Sequence, residues 1–227
     1  MQLSASRQLS FTMREYLAEI YRLQEDSPTV STTSLADRLE VSAPAVPRML
    51  KRLKNAGFVK HVPYQGVTLT ELGLEEALRE IRRHRVLEVY LTKVMGFTWD
   101  EAHEHADEMG KGMTDPVIER MADMTGNPTH CPHGEPIPNR DGVITLPQDM
   151  GVMNVAVGFK GVVSRVRTHD LEKLQYFSSQ KLVPGQEFEV VGRAPFNGPM
   201  RLRLGREEIV IGAELAQALW ILPSDHG

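Results

Sequence analysis

The sequence predicts a mainly α protein with a small β part: an N-terminal winged helix-turn-helix, a helical middle segment and a C-terminal β-barrel. Apolar residues recur at helical spacing from Phe11 to Met124. A two-strand pattern interrupts them after Gly57, and beyond a Pro-rich stretch they give way to short runs separated by Gly.

Phe11, Tyr16, Leu17, Ile20, Tyr21 and Leu23 place a helix over residues 10–25, and Asp26-Ser27-Pro28 stops it. Thr32-Thr33-Ser34 offers N-caps for a short helix carrying Leu35, Ala36 and Leu39. Ser42 is placed to cap the next, which carries Val46, Leu50 and Leu53 and ends at Asn55-Ala56-Gly57. Phe58–Pro63 and Val67–Leu69 read as strands around Tyr64-Gln65-Gly66, which adds a wing to the helix pair. A long helix follows, from Thr70 or Glu71 to about Met95. Thr98 and Glu101 form a capping box for a helix to about Lys111, and Thr114-Asp115-Pro116 opens another that Thr125-Gly126-Asn127-Pro128 ends.

Pro128, Pro132, Pro136, Pro138 and Pro147 mark residues 127–150 as extended and linker-like. Strand-like runs at Val152–Phe159, Gly161–Arg167, Gln186–Val191, Met200–Leu204 and Glu208–Ile211 predict the barrel, with a helical insert near Leu171–Gln180. The boundaries that follow are 1–72, 73–140, a linker at 141–150, and 151–227.

At 227 residues the chain is long enough for two or three small cores. Its net charge of −4 gives no general attraction to nucleic acid, so any DNA affinity has to be local. Such a patch exists: between Ser42 and Val62, Arg48, Lys51, Arg52, Lys54 and Lys60 occur with no Asp or Glu. The single cysteine, Cys131, excludes an intrachain disulfide. No apolar run is long enough to span a membrane and no signal-like charge pattern opens the chain, so a cytoplasmic protein without a membrane partner is expected.

A recognition helix presents small and hydrogen-bonding side chains to base edges at its N-terminal end, while Lys and Arg farther along hold phosphates. The segment from Ser42 to Leu53 fits this pattern. Ser42, Ala43 and Pro44 are the candidates for base edges and thymine methyl groups, and Arg48, Lys51, Arg52 and the hairpin residue Lys60 are the candidate cations. Pro47 sits at the fifth position of a helix that starts at Ala43 and forfeits a hydrogen bond there, unless the helix begins later. The rival reading is a protein-interaction module with a solvated basic face.

His84 and Glu88 share one helical face at i, i+4, and so do His103 and Asp107. Imidazole with carboxylate suits a first-row divalent ion, and an antiparallel neighbour helix completes such a half-site. His103-Glu104-His105-Ala106-Asp107 departs from the zinc-protease pattern at its fifth residue, so no enzyme is expected. His105 lies about 200° around the helix from His103 and reads as surface. His130 and His133 flank Cys131 in the Pro-rich stretch with no second pair, and read as structural loop residues. The rivals are a metallohydrolase, and a winged-helix regulator answering to a small molecule in which these groups only form ion pairs.

The order of elements resembles the diphtheria toxin repressor family of metal-dependent transcriptional regulators, including its manganese-responsive members, over essentially the whole chain. The strings that carry the likeness are Ser42-Ala43-Pro44-Ala45-Val46, His84-Arg85-x-x-Glu88, His103, and Cys131-Pro132-His133-Gly134-Glu135-Pro136-Ile137-Pro138. The resemblance implies a homodimer on double-stranded operator DNA, a helical dimerisation domain in the middle, an SH3-like C-terminal barrel, and two metal sites per chain. For one site His84, Glu88 and His103 match the helical ligands. Asp170 matches the completing carboxylate by position, with His169 or Glu172 as substitutes because the amide expected three residues later is Lys173.

For the other site Glu15 and Asp107 match two ligands, Gly110-Lys111 replaces the family's Glu-His pair, and Glu19, Glu104 and Glu108 are spare carboxylates nearby. Arg85 matches a residue that holds an anion in relatives. Iron-responsive relatives carry Met and Cys where Glu15 and Asp107 stand, so the oxygen and imidazole set favours Mn2+, with Fe2+ as the alternative. The function this implies is a manganese-dependent repressor of metal-uptake genes acting on an inverted repeat. An iron-responsive member and a metal-independent winged-helix regulator are the alternatives.

Overall fold

A computed structural model describes residues 9–62 and 65–224 of the chain. Its elements are α1 (Phe11–Gln24), α2 (Thr32–Arg38), α3 (Ala45–Ala56), β1 (Val59–Val62), β2 (Gly66–Leu69), α4 (Glu71–Lys93), α5 (Trp99–Gly110) and α6 (Asp115–Met124). These are followed by β3 (Met150–Gly151), β4 (Lys160–Val166), α7 (Leu171–Ser179), β5 (Glu187–Arg193), β6 (Met200–Leu204), β7 (Glu207–Ile211), α8 (Ala213–Ala218) and β8 (Leu219–Pro223). The chain divides into two compact units, Met1–Arg83 with Pro138–Ile144, and His84–Ile137 with Thr145–Gly227. The division falls inside α4, so the second half of that helix belongs with the C-terminal sheet. No described helix is long and apolar enough to cross a membrane.

In the first unit α1, α2, α3 and the β1–β2 hairpin enclose Leu17, Ile20, Leu35, Val46, Leu50, Leu53 and Val67, all fully buried. Each aliphatic side chain removed from water in this way contributes about 1.5–3 kcal/mol. Ser10 caps α1 by accepting the Met13 N–H at 3.3 Å. The cap of α2 is Ser31, one residue before the three expected, accepting from Ser34 N at 2.9 Å.

Helix α3 starts at Ala45, later than the sequence suggests: Pro44 is its N-cap residue, and Ser42 gives its carbonyl, not its hydroxyl, to Ala45 N at 2.8 Å. This start puts Pro47 at the third helical position, where an N–H has no acceptor inside the helix, so no ladder bond is lost. Gly57 ends α3 in the left-handed region at φ 88°. The hairpin pairs Val59 with Leu69 and Val62 with Gly66. Pro63 and Tyr64 of the expected strand and turn lie outside the described residues.

In the second unit the capping box expected at α5 is present, with Thr98 N donating to Glu101 Oε2 at 2.9 Å. Val86, Leu87 and Leu91 of α4 pack with Ala102, Ala106, Ile118, Ala122, Cys131 and Ile137. The sheet has its own core, including Leu174, Phe177, Leu182, Val190, Met200, Leu202, Ile211 and Ile221, which Trp99 of α5 joins.

The sheet runs in the order β3-β8-β4-β5-β6-β7 with antiparallel neighbours. Its outer strands β3 and β7 do not pair with each other, so the expected barrel is an open SH3-like sheet. Val152–Phe159 is not a strand: only Met150–Gly151 pairs, and Val152–Asn154 is a 3-10 turn. The sequence reading also passed over α8 and β8. Leu219-Trp220-Ile221-Leu222-Pro223 is one apolar run in sequence although its burial alternates, because the half-buried positions Trp220 and Leu222 also carry apolar side chains, with Arg165 and Arg167 lying over the Trp220 ring.

The stretch read as a linker is in part a built loop. Cys131 N donates to Glu135 O at 2.9 Å, Ile137 N to Thr129 O at 2.7 Å, and Val166 N of β4 to His133 O at 2.9 Å. Gly134 sits at φ +81° with Ser164 O only 2.1 Å from where a Cβ would stand, so only glycine fits between this loop and β4.

Candidate functional site

One helical turn sets the first contact of the site. On α4, His84 Nε2 lies 2.8 Å from Glu88 Oε1. Helix α5 brings His103, whose Nδ1 is 2.8 Å from the same oxygen and 3.2 Å from His84 Nε2. The second pair crosses the first: Asp107, one turn beyond His103, places Oδ1 3.1 Å from His84 Nδ1. The two i, i+4 pairs visible in the sequence thus form one quartet.

The loop after α6 adds two groups that sequence reasoning assigned to structure alone. His133 Nδ1 lies 3.4 Å from Glu88 Oε1, and Cys131 Sγ lies 3.7 Å from His133 Nδ1. His169, just before α7, sets its Nδ1 3.1 Å from His103 Nε2. Asp170 is the N-cap of α7, its carboxylate accepting from Lys173 N at 3.1 Å and lying 3.5 Å from Lys173 Nζ. Its neighbour His169 is the residue of that segment that reaches His103. Glu15 is half-buried on α1 in the first unit, and Gly110 and Lys111 close α5. His105 is half-buried beside Phe97, at a ring distance of 4.7 Å, and His130 is exposed.

Among the described residues, two sets of groups have the chemistry and spacing to hold a metal ion, His84–Glu88–His103 and Glu88–Cys131–His133, with the ligand atoms of each set within 4.8 Å of one another and every residue buried. A carboxylate, imidazoles and a thiol suit first-row divalent ions. The outer nitrogens of His84 and His103 are occupied by Asp107 and His169, the arrangement that orients ligating imidazoles inward. His133 Nε2 is buried without a hydrogen-bond partner.

Charge is balanced tightly in this cluster. Burial opposes ionisation of Glu88, but His133 and His84 hold its carboxyl well below the usual range. Burial also opposes the His84 imidazolium, yet Glu88 and Asp107 outweigh it and raise the group to about 9. Burial, followed by Glu88, pushes the Cys131 thiol well above its ordinary value. In the ion-free protein His84 therefore holds a proton and Cys131 is a thiol. A cation entering here has to displace those protons.

Behind the loop, Glu135 gathers arginines. Arg85 Nη2 donates to Glu135 Oε2 at 2.9 Å and Arg85 Nη1 to Pro136 O. Arg165 of β4 lies 3.4 Å from Glu135 and grips Asp149 with two bonds, at 2.8 and 3.1 Å. These charge-assisted contacts fasten the loop carrying Cys131 and His133 to α4 and β4.

The DNA-reading candidates lie in the first unit. Ser42, Ala43 and Pro44 leading into α3, Arg48, Lys51 and Arg52 on it and Lys60 on β1 are all exposed, whereas Val46, Leu50 and Leu53 of α3 are buried. One face of α3 makes core, and the other presents small residues at its start and cations along its length.

Comparison with known proteins agrees with both halves of this picture. Residues 8–67 match the iron dependent repressor N-terminal DNA binding domain, residues 70–139 the iron dependent repressor metal binding and dimerisation domain, and residues 150–223 the FeoA domain. The chain is 34% identical over 127 residues to the iron-dependent repressor IdeR of Mycobacterium tuberculosis, an alignment taking in 56% of this chain and 55% of that protein. It is 26% identical over 220 residues to the diphtheria toxin repressor of Corynebacterium diphtheriae, spanning 92% of this chain and 96% of that one. A solved manganese-dependent transcriptional repressor in complex with manganese superposes with a TM-score of 0.87 at 32% identity, over 93% of this chain and 99% of that one. With a DNA-binding helix pair, a buried cluster of metal donors and this match along its length, the chain belongs to the diphtheria toxin repressor family of metal-dependent transcriptional repressors.

Proposed function

We propose that this chain is a homodimeric, manganese-activated repressor of metal-uptake genes that reads an inverted-repeat operator in the cytoplasm. The observation that carries the reading is the buried convergence of His84, Glu88 and His103 from two helices, with Asp107 orienting His84 from the rim. A bound divalent cation supplies the positive charge that lets these groups hold α4 and α5 together once His84 has lost its proton. Glu88 Oε1 lies 2.8 Å from His84 on its own helix and 2.8 Å from His103 on α5, and His169 links α5 to the segment leading into α7.

Exposed Val94, Met95, Val117 and Met124 support self-association through the segment that matches a dimerisation domain. Twofold symmetry then requires an inverted repeat with half-sites matched to the spacing of two α3 helices. By linkage, DNA tightens metal binding by the same factor that metal tightens DNA binding. The test is to measure the affinity of chelator-stripped and Mn2+-reloaded protein for DNA selected from a randomised pool. Tighter binding after reloading is expected, and equal affinity in both states sinks the reading.

Cys131 favours a second reading, iron responsiveness, because sulfur prefers ions softer than Mn2+. Comparing DNA binding under Fe2+ without oxygen and under Mn2+ at matched free-ion levels decides between them. Activation by Fe2+ at a lower level than Mn2+ favours iron.

A further inference from the structure

We propose that the hairpin joining β5 to β6 is a second DNA contact of this chain, in which Phe196 enters the minor groove as an apolar wedge while Arg193 and Arg201 hold the flanking phosphates. The inference rests on the DNA-binding reading above and extends it from the first unit to the second.

Phe196 is fully exposed, at 100%, whereas the next most exposed large apolar residue among those described, Val143, is at 61%. Its backbone is strained as well. Gly198 N donates to Pro195 O at 3.0 Å, and the two residues between them, Phe196 and Asn197, both lie in the left-handed region, at φ 57° and 55°. Such a turn favours Asn-Gly, because a large side chain is uncomfortable at positive φ. The hairpin thus loses stability twice, through strain and by leaving an aromatic ring in water, and a ring at full exposure gains no packing in return.

The tip is stiff. Pro195 and Pro199 fix φ on both arms, Ala194 N donates to Pro199 O at 2.9 Å, and a Cβ on Gly198 would stand 2.7 Å from that of Ala194. A ring held out on a preordered turn loses little freedom when it binds.

Charge selects the partner. From Val190 to Arg206 the chain holds four arginines and no Asp or Glu, in a protein of net charge −4. Arg203 is paired with Glu189 and Glu208, and Arg206 lies at the far turn, between β6 and β7. Arg193 Nη2 donates to Val152 O and Val155 O, neutral groups that leave its charge uncompensated. Arg201 lies against the bare backbone of Gly192, with no carboxylate partner among the described residues. On α8, which follows β7 at this end of the sheet, Glu214 is engaged by Lys173 at 2.7 Å.

The spacing suits duplex DNA. Arg193 precedes Phe196 by three residues, roughly 10 Å of extended chain, and a minor groove about 7.5 Å deep carries its phosphates along the rims. Apolar wedges of this kind unstack a base step and kink the duplex. A contact between two copies is served less well, since a stable interface buries about 800 Å2 on each partner, far more than one ring between two prolines offers. Because α3 on the same chain already holds DNA, a contact too weak to act by itself is raised by a high effective concentration.

Mn2+-loaded full-length protein is tested on DNA selected from a randomised pool, with and without flanking duplex, reading affinity, salt dependence and bending by energy transfer between end labels. Flanking duplex should tighten binding about tenfold and bend. Phe196→Gly should abolish the gain and the bend while raising the urea midpoint, because glycine relieves the left-handed strain. Arg201→Ala should lower the slope of log affinity against log salt by about 1 on the flanked duplex alone, and Arg206→Ala at the far turn should change nothing. A gain that survives Phe196→Gly overturns the proposal. So does a Phe196→Gly variant whose sedimentation, or whose binding to phosphatidylserine vesicles, changes while its flanked-DNA binding does not, which assigns the ring to a second copy or to a lipid surface. If the short duplex is bound and flanks add nothing, the hairpin inference alone is lost; if no duplex is bound with metal present, the repressor reading goes as well.

Discussion

Helix α3 and the α4–α5 cluster place polar chemistry in opposite directions. Along α3 the apolar residues Val46, Leu50 and Leu53 are buried, and every candidate for contacting DNA faces solvent. Around Glu88 the polar groups are the buried ones, drawn from α4, α5 and the loop after α6. An exposed cation on α3 keeps its water and its independence from its neighbours. A buried carboxylate has exchanged water for specific partners, so removing it disturbs every group that depended on it. Substitutions in the cluster should therefore be coupled and costly, and those on α3 separable and mild.

Glu88→Gln is the largest expected effect. It preserves shape but leaves His84, His103 and His133 without the anion they share, and it removes the one donor common to both metal sets. Metal affinity should fall by more than the roughly 10–100-fold typical of losing an outer-sphere partner. Competition with a fluorescent chelator measures this. A loss below tenfold would break the contrast between the two regions, because it would mean that Glu88 is not central.

The pH dependence of the ion-free protein sharpens the same contrast. His84 is raised from 6.5 to about 9, so its contribution to stability is fully present below pH 6.5 and is lost as pH rises through about 9. Glu88 is lowered, so its contribution is present above its ordinary 4.5 and is lost as pH falls toward its folded value. The two describe one set of contacts and are counted once. The alkaline loss is about 3 kcal/mol from the size of the His84 shift. Urea unfolding in chelator at pH 6 and pH 10 should show it, and a flat profile would show that His84 is not held as an imidazolium.

Asp107 and Asp170 make a smaller and more local comparison. Asp107→Asn should weaken metal binding by about 10–100-fold through loss of His84 orientation, with no change in the fold. Asp170→Ala should instead destabilise α7 by about 0.5–2 kcal/mol as a lost cap, with metal affinity nearly unchanged. The reverse pattern in calorimetry would make Asp170 the ligand and Asp107 a bystander.

How much of this was legible in the sequence follows from the same contrast. Helix period alone places His84 with Glu88 and His103 with Asp107, because one turn of helix is a local rule. It also exposes the cations of α3 and buries its leucines. The crossing of the two pairs, and the arrival of Cys131, His133 and His169, depend on how distant segments pack, and no local period encodes that. Prolines at 132, 136 and 138 read as a linker, whereas the fixed geometry of that loop comes from Gly134 against Ser164 O and from Glu135 among arginines. Strand β8 escapes the period-2 reading for a related reason: its half-buried positions Trp220 and Leu222 are apolar as well, and what covers Trp220 is the Arg165 and Arg167 side chains from distant sequence.

The smallest expected effects lie on α3, and they test whether its cations act singly. Arg48 stands one turn nearer the start of the helix than Lys51, and both are exposed. The N-terminal end of a recognition helix approaches base edges and the remainder runs along phosphates. Lys51→Ala should weaken binding to all DNA sequences about equally and reduce the slope of log affinity against log salt by about 1, as one phosphate contact is lost. Arg48→Ala should leave that slope nearer its original value and relax the preference for one base pair, at a cost of about 1–3 kcal/mol against the preferred sequence. Because neither side chain has a buried partner, the double substitution should equal the sum of the single ones within about 0.5 kcal/mol. In the Glu88 cluster, pairs of substitutions should depart from additivity by more than that, since their members share the same carboxylate.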